Sequence, residues 1–245
     1  MFFDLYGEAQ APTLILLHGA AALDTFAHQY ESLARHFRVL VPHLPGAGEA
    51  AAAAYEPQAT ADALAAWIAS LNAGKVLLMG HSVGAELAVK LVSEQESLFS
   101  RAVFLSPWLT ASETSARLYS GLARMSYGAI KSEKLLRMQA KYWGYTPEQT
   151  ERLVSYSPRI SQDTYVSFYS KRVRLKDLAG YGGIQIPMLA MCARGETAET
   201  RSSVRALGEQ NTNCLTAIFP KGSHDFVLRC SGLLNPLLLD FLRQE

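Results

Sequence analysis

The chain has 245 residues, enough for one α/β domain with a large core, and carries a formal charge of +1 with 18% charged residues. Such a balance lacks the excess of Lys and Arg that a nucleic-acid binder or an anionic-membrane protein needs, so the expected partner is a small molecule. No run approaches the roughly 20 apolar residues that span a bilayer, and MFFDLYGEAQ has no basic segment followed by a long apolar stretch, so the expected location is the cytoplasm.

In chain order, short apolar runs alternate with amphipathic segments, the pattern of a mostly parallel sheet with helices on both faces. The runs expected as strands are TLILL (13–17), VLVP (39–42), VLLM (76–79), AVFL (102–105), MLAMC (188–192) and CLTAIF (214–219). Between the second and third, the alanine-rich 49–57 reads as a loop. Leu64, Trp67, Ile68 and Leu71 then lie on one helical face, with Thr60 as the expected N-cap and Gly74 as the stop. From Pro107 to Gly183 the alternation gives way to helical, tyrosine-rich sequence, in which Thr146, Pro147 and Gln149 spell a capping box. This divides the chain into a core (1–106 and 184–245) and a helical insertion (107–183). Cys192, Cys214 and Cys230 are odd in number and lack ligand spacing, which predicts reduced thiols and no metal site.

Gly80-His81-Ser82-Val83-Gly84 stands between a strand and a helix with Leu87, Ala88, Leu91 and Val92 on one face. That is the setting of a G-x-S-x-G elbow, where small flanking residues permit a strained turn that presents the serine at the end of a strand. At the helix entry, free amides and the positive dipole end face a developing oxyanion, which makes Val83 one expected donor. The loop after LILLHG provides the second, at Ala20.

With LLHG, VLVPHLPGAGEA, GHSVG and the late GSHDF in that order, the chain resembles the α/β-hydrolase fold family over nearly its whole length apart from the insertion. The resemblance implies an eight-stranded, mostly parallel sheet, a lid after the sixth strand, and a Ser, acid, His triad without a cofactor. Ser82 is then the nucleophile and His224 its general base. His18 is expected to support the oxyanion loop, His81 to fill an elbow position, and His28 and His36 to lie on helix surfaces. MLAMCARGETAET lacks the Asp that the family usually carries after its seventh strand. Glu196 is the nearest substitute, with Glu199 and Glu113 as alternatives and a triad without a working acid as another. His43 stands where the family usually has a structural Asp, with a catalytic role as the lesser reading. Asp225 reads as a helix N-terminal acid.

The aromatic residues of the insertion, with Trp108, Tyr119, Tyr127 and Trp143 foremost, suit a mostly apolar substrate pocket. The basic stretch SKRVRLKDL (170–178) reads as a solvated face, or alternatively as a greeting for an anionic substrate tail. The expected function is hydrolysis of a small, largely apolar ester, thioester or lactone. The alternatives are an impaired, ligand-binding relative, another cofactor-free reaction of the fold such as carbon-carbon bond hydrolysis or acyl transfer, and a protein that only scaffolds partners. Oligomeric state is not legible here.

Overall fold

Seven strands form one sheet in the computed structural model, which describes residues 1–244. They are β1 (Phe3–Tyr6), β2 (Thr13–Leu17), β3 (Arg38–Pro42), β4 (Val76–His81), β5 (Phe99–Leu105), β6 (Met188–Ala193) and β7 (Cys214–Phe219), in the spatial order β1-β3-β2-β4-β5-β6-β7. Only β1 runs antiparallel, against β3. Each of the six expected runs lies in a strand. β1 escaped because an edge strand with no fully buried residue shows no apolar run. The resemblance implied eight strands; among the described residues the sheet has seven, with β1 alone ahead of β2.

Alternation along the strands splits the core into two layers. Ile15, Leu17, Leu40 and Leu78 face one side of the sheet, while Leu14, Leu16, Val39, Val41 and Met79 face the other. On the N-terminal side, α1 (Tyr30–Ala34) and α2 (Pro57–Ser70) follow β2 and β3. α2 begins three residues before the expected Thr60 cap, because Pro57 fits a first helical turn and Glu56 takes the cap position. It also ends at Ser70; Asn72 and Gly74, both with positive φ, then turn the chain into β4. His28 and His36 lie in the turns flanking α1 rather than on helices.

At the centre, α3 (Val83–Gln95) is buried without interruption from Val83 to Val92, so it packs against the sheet. Between β5 and β6 come four helices, α4 (Glu113–Ser126), α5 (Glu133–Trp143), α6 (Pro147–Tyr156) and α7 (Gln162–Ser170). The capping box of α6 forms, with Thr146 and Gln149 exchanging side-chain and backbone bonds. One charged cluster fastens α6 to the core: Arg152 donates to Asp24 (Nε to Oδ2, 3.0 Å) and to Asp4 (2.6 Å). Asp24 is buried, and burial pushes its carboxyl up against the pull of Arg152. The chain closes with α8 (Ala198–Gln210), α9 (Phe226–Arg229) and α10 (Ser231–Leu242). Among the described residues no helix is long and apolar enough to cross a membrane, and all three cysteines are free.

Candidate active site

Ser82 is the residue between β4 and α3, at φ 56° and ψ −123°, a strained conformation for a residue with a side chain. The neighbouring glycines show why the turn closes only with small residues. A Cβ on Gly80 would lie 2.2 Å from the Gly84 carbonyl oxygen, and one on Gly84 would lie 2.0 Å from that of Leu17. Neither obstacle can move, since both are backbone.

From the turn before α9, His224 reaches the serine. Ser82 Oγ donates to His224 Nε2 at 2.9 Å, and His224 Nδ1 donates to Glu196 Oε2 at 3.1 Å. The Glu196 side chain is 2% exposed whereas that of His224 is 54% exposed. Burial pushes the Glu196 carboxyl up, yet the hydrogen bonds and charge of His224, with a bond from the Ser106 hydroxyl, outweigh it and hold the group below the usual carboxylate range. Ser106, the residue after β5, takes a positive φ of 53° to place its hydroxyl on Glu196.

The other acids lie elsewhere. Glu199 accepts from the Trp108 indole (3.0 Å), the Ser112 amide (3.1 Å) and the Ser115 hydroxyl (2.6 Å), so it fastens the start of α4. Glu113 pairs with Arg174 at 2.8 Å. Asp225 accepts from the Ser223 hydroxyl at 2.9 Å and caps α9 by position.

Three of the remaining histidines have positioning contacts near the site. His81 Nε2 donates to the His224 carbonyl at 2.9 Å, and its burial pushes its pKa down to about 3. His18 donates from Nδ1 to the Gly19 carbonyl (2.8 Å) and accepts the Leu44 amide at Nε2 (3.1 Å), with burial lowering its pKa to about 4. These contacts tie the loop after β2 to the loop after β3. His43 donates to Asp4 (3.2 Å) and accepts from the Glu49 amide (3.0 Å), so its ring is spent on the β1 and β3 loops.

Residues 19–22 form a tight turn with Ala21 at positive φ. Thr25 supports it by accepting the Gly19 amide (3.1 Å) and donating to the Ala22 carbonyl (2.6 Å). From α6, the Tyr156 hydroxyl donates to the Ala21 carbonyl at 3.0 Å. Among the described residues, neither the Ala20 amide nor the Val83 amide has an intramolecular acceptor, and both residues border a cavity that contains Ser82.

Two cavities meet at Ser82 and His224, with Tyr169 lining both. The larger, about 360 Å³, runs under α5 and α6 and includes Trp143, Leu136 and Tyr165. The smaller, about 260 Å³, lies against α3 and includes Trp108, Tyr119, Phe168 and Glu86. Three of the four foremost aromatics therefore line the site. Tyr127 does not: its hydroxyl donates to the Ile160 carbonyl at 2.8 Å and its ring carries the Lys131 ammonium, so it packs the helices together. No residue of the basic stretch 170–178 is among those lining the two cavities. Lys171 pairs with Glu56, Arg172 stacks on Trp108, and Arg174 holds Glu113 and Asp177.

Glu86 went unread in the sequence. A lone glutamate four residues before a lysine on a helix looks like a solvated pair, whereas here burial pushes its carboxyl up to about 8.

The sequence profile of the alpha/beta hydrolase fold matches residues 12–187. The chain belongs to the alpha/beta hydrolase fold family. Over 255 aligned residues it is 24% identical to the RutD protein of Agrobacterium fabrum, named as a carbamate hydrolase, covering 99% of this chain and 98% of that one. A RutD of Pantoea ananatis is 27% identical, covering 100% of this chain and 94% of the relative. Among solved structures, the enol-lactonase of Burkholderia xenovorans LB400 superposes with a TM-score of 0.80 at 20% identity, covering 99% of this chain and 96% of that one. Family membership and the hydrolases among these relatives support hydrolytic chemistry.

Proposed function

We propose that the protein is a serine hydrolase cleaving a small, largely apolar ester, thioester or lactone through an acyl-enzyme on Ser82. The observation that carries this reading is the unbroken chain from Ser82 Oγ through the His224 imidazole to the buried Glu196 carboxylate. A serine hydroxyl alone is a weak nucleophile at neutral pH. His224 Nε2, aligned as acceptor, takes its proton as Oγ attacks the carbonyl carbon. Glu196 keeps the imidazole in the Nδ1–H tautomer and stabilises the imidazolium; its lowered pKa keeps it ionised for that task.

The carbonyl oxygen becomes an oxyanion in front of the Ala20 and Val83 amides, which face it with no acceptor of their own. The imidazolium returns its proton to the leaving group, and a water then repeats the sequence on the acyl-enzyme. The same machinery serves carbamates and enol-lactones, the substrates named for the relatives, because each presents a carbonyl with an adjacent leaving heteroatom. No step calls for a cofactor or metal. The helical segment over the site acts as a cap whose aromatic rings set which substrates enter.

Intact-mass measurement after exposure to a fluorophosphonate tests the reading. The expected result is rapid addition of one phosphonyl group, abolished in both Ser82→Ala and His224→Ala. No labelling of the folded wild-type protein would overturn it and leave the fold as a ligand-binding scaffold.

A further inference from the structure

Outside the Ser82, His224 and Glu196 chain, a buried carboxylic acid borders the candidate site. Glu86, 2% exposed, stands in the first turn of α3 and lines the 260 Å³ cavity with Ser82, Val83, Trp108 and Phe168. Four residues of helix separate it from Ser82, about 6 Å along the axis. The protein offers its carboxyl donors only: the Val173 amide gives a hydrogen bond at 3.3 Å, with the Trp108 amide beside it. Lys90 pairs with Glu94, whereas Arg172, which lies over the Trp108 ring and donates to the Ala111 carbonyl, is a cation whose charge reaches Glu86 without forming an ion pair with it.

Burial lifts the carboxyl to about 8, outweighing the two amides and the Arg172 charge that pull it down, so the group keeps its proton at neutral pH. It then has an O–H to donate as well as an oxygen that accepts. Such a group is costly to leave in a dry apolar pocket and gains most from a ligand hydroxyl, which accepts and donates in turn.

We propose that Glu86 is a specificity-determining residue that hydrogen-bonds a hydroxyl on the substrate's acyl arm, two to four bonds beyond the scissile carbonyl, so that the protein prefers hydroxyacyl esters to their plain hydrocarbon counterparts. This rests on Ser82 acting as the nucleophile. The acyl arm takes the cavity against α3, which both expected oxyanion donors, Ala20 and Val83, line with Ser82, and the leaving group takes the other, lined by His81, Ser223 and Asp225 beside His224. A site built to pair a hydroxyl rejects the analogue that lacks it, since its own polar group is then stranded.

The test compares phenyl 3-hydroxybutyrate with phenyl butyrate. In the wild type, kcat/KM favours the hydroxylated ester by about tenfold or more. Glu86→Gln, which still donates and accepts, keeps most of that ratio. Glu86→Leu brings it to one or below, and Glu86→Met reads the same ratio if the leucine variant does not fold. Calorimetric binding of the two esters to Ser82→Ala reports the preference without turnover. Equal kcat/KM for the two esters in the wild type, or a preference that survives in the leucine or methionine variant, overturns the assignment of Glu86. Failure of the Ser82 reading looks different: neither ester is turned over and the fluorophosphonate does not label.

Discussion

The elbow at the end of β4 and the helical segment between β5 and β6 build the same site by opposite means. Around Ser82 the constraint is backbone against backbone: two glycines whose missing Cβ atoms leave room for carbonyl oxygens, and a strained φ held by a buried strand and helix. Over the site, α4 to α7 contribute side chains on amphipathic helices that leave Leu118, Leu122, Met125 and Met138 exposed. On the proposed reading, the chemistry sits where backbone contacts fix the turn, while selection sits where side chains can be exchanged without disturbing the fold.

The largest effects belong to the rigid region. Glu196→Gln keeps the shape of the acid but removes the charge that holds the His224 tautomer and stabilises the imidazolium. Ester hydrolysis should fall by roughly 10² to 10⁴, with folding intact. The same change at Glu199, which fastens α4 instead, should leave kcat within a few-fold. Steady-state kinetics on a small activated ester separates the two. If both variants lose activity equally, the acid is not assigned by geometry.

Next comes the seam between the regions. Arg152 on α6 holds the buried Asp24 and the half-buried Asp4. Arg152→Met removes the partner of a carboxylate that water cannot reach, at a cost of about 3 kcal/mol of stability, read by urea unfolding. Because Tyr156 on the same helix holds the Ala21 carbonyl, the variant should also loosen the turn that carries the Ala20 amide. A variant as stable as the wild type would mean that the seam is merely solvated charge.

The contrast also explains what could be read in advance. The contact of Ser82 with His224 was legible because the turn that strains the serine requires small residues at fixed spacing and because the resemblance puts a base after the last strand, whereas Glu196 was one of three candidate acids and only the folded geometry brings it to His224. β1 and Glu86 were not. β1 is an edge with no apolar run, and Glu86 shares its helix with Lys90 in a spacing that normally marks a solvated pair; only tertiary burial against 107–173 turns it inward. Tyr127 and Trp143 could not be told apart by type, since both are aromatic residues of the helical segment and the difference is which of them meets the cavity.

Buried titratable groups supply a pH signature with opposing signs. His18 and His81, neutral when folded with pKa values of about 4 and about 3, take up protons on unfolding below pH 6.5, so their contribution to stability is lost as pH falls from 6.5 towards 4. Glu86 works the other way. Its proton is retained in the folded state up to about pH 8 and released on unfolding above about 4.5, so stability is lost as pH rises through that window. Replacing Glu86 with Gln removes the second effect alone. Between pH 7 and pH 5 the variant should therefore lose about 2 kcal/mol more than the wild type, measured by chemical unfolding at both values. Parallel curves would show that the carboxyl is ionised when folded.

The smallest expected effect tests whether the helical segment selects or only covers. Trp143 borders the 360 Å³ cavity, whereas Tyr127 is engaged with Ile160 and Lys131 and borders neither cavity at Ser82. Trp143→Ala enlarges one wall without touching Ser82, so the ratio of kcat/KM for bulky over acetate-sized esters should change by up to about tenfold while turnover of the small ester holds. Tyr127→Phe removes only a hydroxyl directed at a carbonyl, costing about 1 kcal/mol of stability and leaving the ratio alone. An ester panel run on both variants decides it. If the tyrosine variant shifts selectivity as much as the tryptophan variant, the segment acts through its overall stability rather than through the rings that line the cavity.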